Sequence, residues 1–124
     1  LARAGGLDHY LVLDDAFPVS VAPAATPGLR LAAQLADPAS GRAMQVWSTA
    51  PGVQVYAGHG LKGDPARDLG RGPGQGTWLW QPGDGICLEP MEYPDAPNHL
   101  AFPVRWWLPG DVARGSIVYR FTGP

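Results

Sequence analysis

Proline and glycine interrupt this chain so often that few windows of eleven residues are free of them. The 17 glycines and 14 prolines together make 31 of the 124 residues. Proline breaks the interior of a helix, and glycine costs about 1 kcal/mol there relative to alanine. Amphipathic helices need longer uninterrupted windows. The chain is therefore restricted to short elements joined by many turns.

Aromatic residues indicate that the chain folds despite this composition. Its 5 Trp, 4 Tyr and 3 Phe lie in or near short apolar blocks such as Val53–Tyr56 and Ile117–Phe121, whereas disordered segments contain few aromatic or branched apolar residues. A net charge of -2 without a basic cluster makes nucleic acid an unexpected partner. No apolar run approaches the roughly 18 residues that cross a bilayer, so no membrane partner is expected.

The clearest periodicity in the sequence is a period of two. In Leu29–Leu35 the residues Leu29, Leu31, Ala33 and Leu35 alternate with more polar or smaller ones, which predicts a half-buried strand with these four on one side. Asp37–Gly41 is typical of a turn, and Met44–Ser48 alternates again. These segments predict a β-hairpin.

Further short apolar segments between turn signals predict an all-β, antiparallel sandwich or barrel in a single domain of residues 1–124. The further predicted strands are Tyr10–Leu13, Val53–Tyr56, Gly85–Glu89, Val104–Leu108 and Ser116–Thr122. If Val104–Leu108 is a strand, Trp106 and Trp107 face opposite ways and at most one of them is exposed. Ala57–Gly76 carries seven glycines and two prolines and predicts a long surface loop.

The single cysteine, Cys87, can form no internal disulfide and has no second thiolate for a zinc site. This favours a reducing compartment, and we expect a cytoplasmic protein. The three histidines do not have the spacing of metal ligands, so no metal is expected. Leu1–Gly6 contains no methionine, which suggests a chain that starts mid-gene or was processed or trimmed.

Glu89 and Asp8 are the acidic residues most suited to chemistry, and each has a plainer alternative. Alternation places Glu89 on one face with Cys87 and Met91, and enclosure of that face would raise the pKa of Glu89 towards that of a general base. The alternative is a half-exposed strand end before a proline. Asp8 either lines a site or closes a turn, and it cannot pair catalytically with His9, because adjacent residues of an extended segment face opposite sides.

Taken in order, the motifs of the chain resemble the carboxyl-terminal half of the aldose 1-epimerases, the galactose mutarotase family. The matching segments are Gly6–Tyr10, Asp37–Arg42, Pro51–Tyr56, Leu88–Pro90, Tyr93–Asn98 and Val118–Phe121. Each segment alone is weak, but their order and spacing extend through nearly the whole chain. The resemblance implies part of a large antiparallel β-sandwich of the galactose mutarotase type. It also implies a cofactor-free interconversion of the α and β anomers of a hexose.

The resemblance also implies roles for three residues of this chain. The glutamate of the family's L-E-x-Q segment, which acts as general base on the anomeric hydroxyl, falls on Glu89. The aspartate of G-x-D-H, which binds sugar hydroxyls, falls on Asp8. The glutamine of P-G-x-Q-x-Y, which lies near the sugar, falls on Gln54. The sequence departs from the family pattern at Tyr10 and Met91, where phenylalanine and glutamine are usual, and at His59, where asparagine commonly stands.

In that family the general acid and a second sugar-binding histidine come from the amino-terminal half, and no histidine of this chain matches them. The resemblance thus implies that the isolated chain is inactive. An amino-terminal half, or self-association through exposed strand edges, is the expected partner beside the hexose. The alternative is a non-catalytic carbohydrate-binding or structural β-sandwich domain that lacks the general acid.

Overall fold

The structure, a computed structural model, describes residues 5–14, 26–67, 69–72 and 75–123. The first four residues lie outside this range. They make up most of Leu1–Gly6, the segment on which the expectation about the start of the chain depends. The strands are β1 (Asp8–Val12), β2 (Arg30–Asp37), β3 (Arg42–Ser48), β4 (Gly52–Tyr56), β5 (Leu69–Gly72), β6 (Gln75–Leu79), β7 (Cys87–Met91) and β8 (Ile117–Thr122). The one helical element among the described residues is a short 3-10 turn, Ala96–Asn98.

This architecture confirms the predicted all-β, antiparallel class and is that expected for part of a β-sandwich. Three strands form a sheet in the order β1-β4-β7, three form another in the order β2-β3-β8, and β5 pairs with β6. Contacts along the chain define two compact units, one of Leu1–His9 with Gln54–Leu88 and one of Tyr10–Val53 with Glu89–Pro124. The single domain of residues 1–124 stays a prediction.

The hairpin of β2 and β3 lies in the second unit and forms as predicted, because its turn is stabilised locally. The carboxylate of Asp37 accepts hydrogen bonds from the Ala39 amide at 3.0 Å, the Ser40 amide at 3.3 Å and the Ser40 hydroxyl at 2.5 Å. The Gly41 amide donates to the Asp37 carbonyl at 2.9 Å. The three hydrogen bonds to the carboxylate hold the pKa of Asp37 below its ordinary value, with the Ser40 hydroxyl as the largest cause.

A β-bulge corrects the predicted side-chain pattern of β2. Leu31 pairs with Trp47 and Ala33 with Val46, so the register shifts between them. Cross-strand partners lie on the same face, and adjacent residues of β3 lie on opposite faces. Leu31 and Ala33 are therefore on opposite faces, and the predicted single apolar side is wrong. An extra residue in one strand reverses the alternation, which period counting does not detect.

The core of the second unit is small. Among the described residues of this unit, the buried apolar side chains are Leu29, Val46, Trp47, Val53 and Ala96. The segment predicted as a strand at Val104–Leu108 has no regular structure, and both tryptophans are exposed, Trp106 at 71% and Trp107 at 48%. The prediction that one of them is buried is thus wrong. Apolar residues of β8 are also exposed, with Phe121 at 72%.

The first unit contains a hairpin where the sequence predicts a loop. Strands β5 and β6 pair antiparallel. Strand β5 lies within the predicted loop Ala57–Gly76, and β6 begins in it and ends three residues after it. Positions 68, 73 and 74 of this segment lie outside the described residues. The rings of Trp78 and Trp80 meet edge to face at 5.2 Å. A Cβ atom at Gly70 would lie 2.8 Å from Nε1 of Trp80, so the close approach of the indoles requires glycine there. Tryptophan packing thus stabilises a glycine-rich strand that propensity alone does not favour.

Candidate functional site

Two of the three predicted site residues are joined directly in the first unit. Asp8 opens β1 and Gln54 stands at the centre of β4, and these two strands are neighbours in one sheet. The Gln54 side-chain amide donates a hydrogen bond to Oδ1 of Asp8 at 2.6 Å. Gln54 alternates with the buried Val53 and Val55, so it lies on the opposite face of β4 from the apolar side chains. The strand pattern thus places the amide beside the carboxylate.

This pair presents hydrogen-bond acceptors to solvent. Asp8 is exposed and Gln54 is half-buried. Within the described part of the chain, neither Oδ2 of Asp8 nor Oε1 of Gln54 accepts a hydrogen bond from another residue. A carboxylate oxygen accepts more than one hydrogen bond, and hydrogen bonds to charged groups are about twice as strong as neutral ones. The pair is therefore suited to neighbouring hydroxyl groups such as those of a sugar.

His9 does not form a catalytic pair with Asp8. Its Nδ1 accepts a hydrogen bond from the Asp8 backbone amide at 3.1 Å, and no described contact joins the imidazole to the carboxylate. The two side chains stand on successive positions of a strand and face opposite sides. The carboxylate of Asp8 therefore interacts with Gln54 and remains available to a ligand.

Glu89 stands in the middle of β7, in the second unit. Exposed and half-buried residues alternate from Cys87 to Met91, and Glu89 is on the exposed side with both of them, as the sequence predicts. Among the residues that the structure describes, none donates a hydrogen bond to its carboxylate. The described residues do not enclose the Glu89 carboxylate, which faces solvent in this part of the chain.

Two departures from the family pattern contact each other in the second unit. The hydroxyl of Tyr10 donates to the carbonyl oxygen of Met91 at 3.1 Å, and the ring of Tyr10 lies 5.2 Å from that of Tyr93. Burial, followed by the nearby Tyr93 and Glu92, raises the pKa of Tyr10 to about 12, and the Arg30 guanidinium opposes part of this rise. The extra hydroxyl thus ties β1 to the end of β7 and remains protonated at neutral pH.

The described residues offer no site for a metal ion. No cluster of three or more histidine, cysteine or acidic side chains occurs in the ranges that the structure covers. Cys87 is exposed and unpaired. In the same ranges no helix has both the length and the apolar character that a membrane span requires.

Comparison with known proteins adds the family. The sequence profile described as Aldose 1-epimerase matches residues 1–120 of this chain. The chain belongs to the aldose 1-epimerase family. The galactose mutarotase of Mus musculus is 30% identical over 93 residues, covering 75% of this chain and 25% of the relative. The galactose mutarotase of Homo sapiens is 33% identical over 84 residues, which are 68% of this chain and 22% of that protein.

A bacterial relative matches over more of the chain. The aldose 1-epimerase of Escherichia coli strain K12 is 31% identical over 121 residues, or 96% of this chain and 30% of that protein. The chain thus spans between 22% and 30% of the length of these three relatives. The comparison confirms the resemblance on which the sequence analysis depends.

In this member of the aldose 1-epimerase family, two of the three motif residues meet within one unit. Asp8 on β1 and Gln54 on β4 lie on neighbouring strands of the first unit, and Glu89 lies on β7 in the second unit. The order of the motifs in the sequence carries no information about strand adjacency. The hydrogen bond from the Tyr10 hydroxyl to β7 was not predicted from the sequence, although tyrosine in place of the usual phenylalanine signals an additional donor at this position.

Proposed function

We propose that this chain supplies the general base and two sugar contacts of an aldose 1-epimerase that interconverts the α and β anomers of a hexose. The observation that carries the proposal is the hydrogen bond between Asp8 and Gln54, on neighbouring strands of the first unit. Two side chains that the family pattern assigns to sugar hydroxyls are already in contact and have unused acceptors. Family membership over residues 1–120 supports the same reaction.

The proposed chemistry needs only proton transfers. The carboxylate of Glu89 removes the proton from the C1 hydroxyl while an acid protonates the ring oxygen, and the bond between C1 and the ring oxygen breaks. Rotation about C1–C2 in the open aldehyde, followed by the reverse transfers, closes the ring as the other anomer. Asp8 and Gln54 accept hydrogen bonds from sugar hydroxyls and keep the substrate oriented. No electron transfer is involved.

We assign the general acid to an amino-terminal half of the family rather than to a histidine of this chain. The aligned segments make up only 22% to 30% of the three relatives, so each relative is more than three times as long as the segment that matches this chain. Exposed apolar side chains such as Trp106 and Phe121 are compatible with a surface that this half covers. The same cover would reduce the solvation of Glu89 and adapt it to its role as a base.

A hybrid enzyme tests the proposal. Residues 1–120 of this chain replace the matching segment of the Escherichia coli aldose 1-epimerase, and polarimetry follows fresh α-D-glucose or α-D-galactose. We expect the hybrid to accelerate mutarotation and Glu89→Gln to lower its rate by about a hundredfold or more. Glu92→Gln, an exposed neighbour of similar shape and charge, is the matched control and should retain most of the rate. A folded hybrid that is inactive, or one in which both variants behave alike, contradicts the proposal.

Binding without turnover is a second candidate, and the solvent exposure of Glu89 in the described chain favours it. In that case Asp8 and Gln54 bind a sugar while Glu89 has no role. Equilibrium titration of the 124-residue chain with glucose separates the two functions. Saturable binding that is insensitive to Glu89→Gln, together with an inactive hybrid, would select the binding domain.

A further inference from the structure

Two arginines of the second unit line the same surface cleft, and the sequence motifs assign a role to neither. A cleft of about 380 Å³ is lined by Thr26, Thr49, Arg105, Arg114, Ser116 and the backbone around them. An adjoining cleft of about 250 Å³ shares both arginines and adds the carboxylate of Glu92 together with the apolar side chains of Pro90, Met91 and Ile117. The pair of clefts thus combines a cationic, hydroxyl-rich end with one of mixed polar and apolar character.

The two guanidinium groups are available to an anion. Arg105 lies 5.5 Å from the centroid of the Trp107 ring, which supports its planar group. Its Nη1 is 3.8 Å from Oε1 of Glu92, too long for a hydrogen bond, and both side chains are more than half exposed. Arg114 forms no ion pair or side-chain hydrogen bond with any other described residue. Most of the ten guanidinium N–H donors therefore remain unused.

Two hydrogen bonds join Thr49 and Ser116, the hydroxyl residues beside these arginines. The Thr49 amide donates to the Ser116 carbonyl at 3.1 Å, and the Ser116 amide donates to the Thr49 hydroxyl oxygen at 3.0 Å. Neither hydroxyl donates its own hydrogen to another residue of the described chain. The Thr49 hydroxyl oxygen is thus held in place, and Ser116 is fixed opposite it through its backbone, so the cleft has two O–H donors on residues that are bonded to each other.

We propose that this cleft, lined by Arg105 and Arg114, binds the phosphate group of a small phosphorylated molecule. Phosphate has several acceptor oxygens, and guanidinium groups bind it with parallel, charge-assisted hydrogen bonds. Thr49 and Ser116 supply neutral donors to the remaining oxygens. The nearby Glu92 carboxylate offsets part of the charge of Arg105, but two arginines against one carboxylate leave the cleft positively charged. Phosphate is favoured over a carboxylate because it has more acceptor oxygens for the guanidinium and hydroxyl donors. The side chains of Pro90, Met91 and Ile117 in the adjoining cleft contact the organic part of the molecule.

Titration of the 124-residue chain with inorganic phosphate, glucose 6-phosphate, acetate and glucose, followed by calorimetry and phosphorus NMR, tests this site. We expect phosphate and glucose 6-phosphate to bind, and both to weaken as sodium chloride is raised. Because glucose itself is proposed to bind at Asp8 and Gln54, phosphate and glucose 6-phosphate are compared in the presence of saturating glucose. Tighter binding of glucose 6-phosphate under these conditions identifies a phosphorylated metabolite, and equal binding identifies free phosphate. Binding of acetate as tight as that of phosphate would overturn the assignment to phosphate.

Substitutions locate the site. Arg105→Gln and Arg114→Gln should each weaken phosphate binding by about tenfold or more, and Arg114→Lys, which keeps the charge but loses the planar fork, should have a smaller effect. Arg120→Gln is the control, since this exposed arginine pairs with Gln45 on β3 and lines neither cleft. Any one of three results would overturn the proposal: the control loses as much phosphate affinity as the cleft variants, both cleft variants keep their phosphate affinity, or the folded chain binds no phosphate. None of these readouts depends on mutarotation, so the site stands or falls separately from the proposed activity.

Discussion

The side-chain amide of Gln54 donates a 2.6 Å hydrogen bond to the carboxylate of Asp8, a residue 46 positions earlier in the chain. The bond consumes one donor of the amide and one oxygen of the carboxylate, and it leaves an acceptor on each side chain. Each residue therefore fixes the orientation of the other. Substitution of either residue should therefore change the orientation of the other and weaken its contact with a ligand, even where the fold is unchanged.

The first prediction concerns this pair. Asp8→Asn keeps a partner for Gln54 but removes the charged acceptor, so the affinity for glucose should fall by about tenfold, as for loss of a hydrogen bond to a charged group. Gln54→Glu should be more damaging, because it sets two carboxylates against each other. In the hybrid enzyme the effect of either substitution should appear mainly as a raised KM, since both residues bind the sugar and neither transfers a proton.

An exposed pair of neutral amides provides the control. Gln45 donates to Gln34 at 2.9 Å across β3 and β2, and Gln34→Ala removes this side-chain hydrogen bond between neighbouring strands. It should leave glucose affinity unchanged, and all of these surface variants should change the free energy of unfolding by less than about 1 kcal/mol. If Asp8→Asn binds glucose as tightly as the original chain, Asp8 is not a sugar contact.

Local signals made some of the fold predictable from the sequence. The turn at Asp37–Gly41 depends on bonds between residues no more than four positions apart, and its hairpin formed as expected. The partner of Asp8 depends instead on a residue in a distant strand, and the sequence suggested it only through the family resemblance. The fold class was therefore accessible from spacing, while the geometry of the candidate site was not.

Packing explains where the sequence interpretation failed. Gly70 reads as a loop residue, yet it lies in β5 because two indoles lie over it. Val104–Leu108 has the composition of a strand, but no strand pairing is found for it in the described chain, and Trp106 is 71% exposed. Strand propensity reflects burial against neighbours rather than an intrinsic backbone preference. The clefts at Arg105 and Arg114 could not be predicted from the sequence either, because the residues that line them come from segments that are distant in the chain.

The second prediction tests a close approach between β4 and β1. A Cβ atom added at Gly52 would meet the ring of Tyr10 and lie 2.8 Å from the carbonyl oxygen of Leu11. Backbone oxygen cannot move away cheaply, so Gly52→Ala should lower the free energy of unfolding by about 1 to 3 kcal/mol. Gly85→Ala, where a Cβ atom meets nothing within 4 Å, is the control and should be close to neutral. Denaturant unfolding that gives equal values for both variants would refute the packing argument.

The third prediction concerns Tyr10. Its pKa is raised from 10.0 to about 12, first by burial and then by Tyr93 and Glu92. A raised folded-state pKa means that the neutral phenol stabilises the fold fully below pH 10 and that this contribution is lost as the pH rises through about 12. Phenolate absorbance should therefore show a late transition that is absent from Tyr10→Phe. Tyr119→Phe is the control, because this exposed tyrosine on β8 should not remove the late transition.

The last prediction uses the turn at Asp37. Its pKa lies below the ordinary 3.8 because of the Ser40 hydroxyl and the amides of Ala39 and Ser40, so the charged form stabilises the fold above that value. The contribution is lost as the pH falls through the lowered folded-state pKa. Asp37→Ala should therefore lower the unfolding temperature at neutral pH, and its difference from the original chain should shrink in strong acid. Ser40→Ala, which removes the hydroxyl bond alone, should show a smaller difference with the same pH dependence. A difference that stays constant from neutral pH into strong acid would mean that the carboxylate charge of Asp37 does not stabilise the turn.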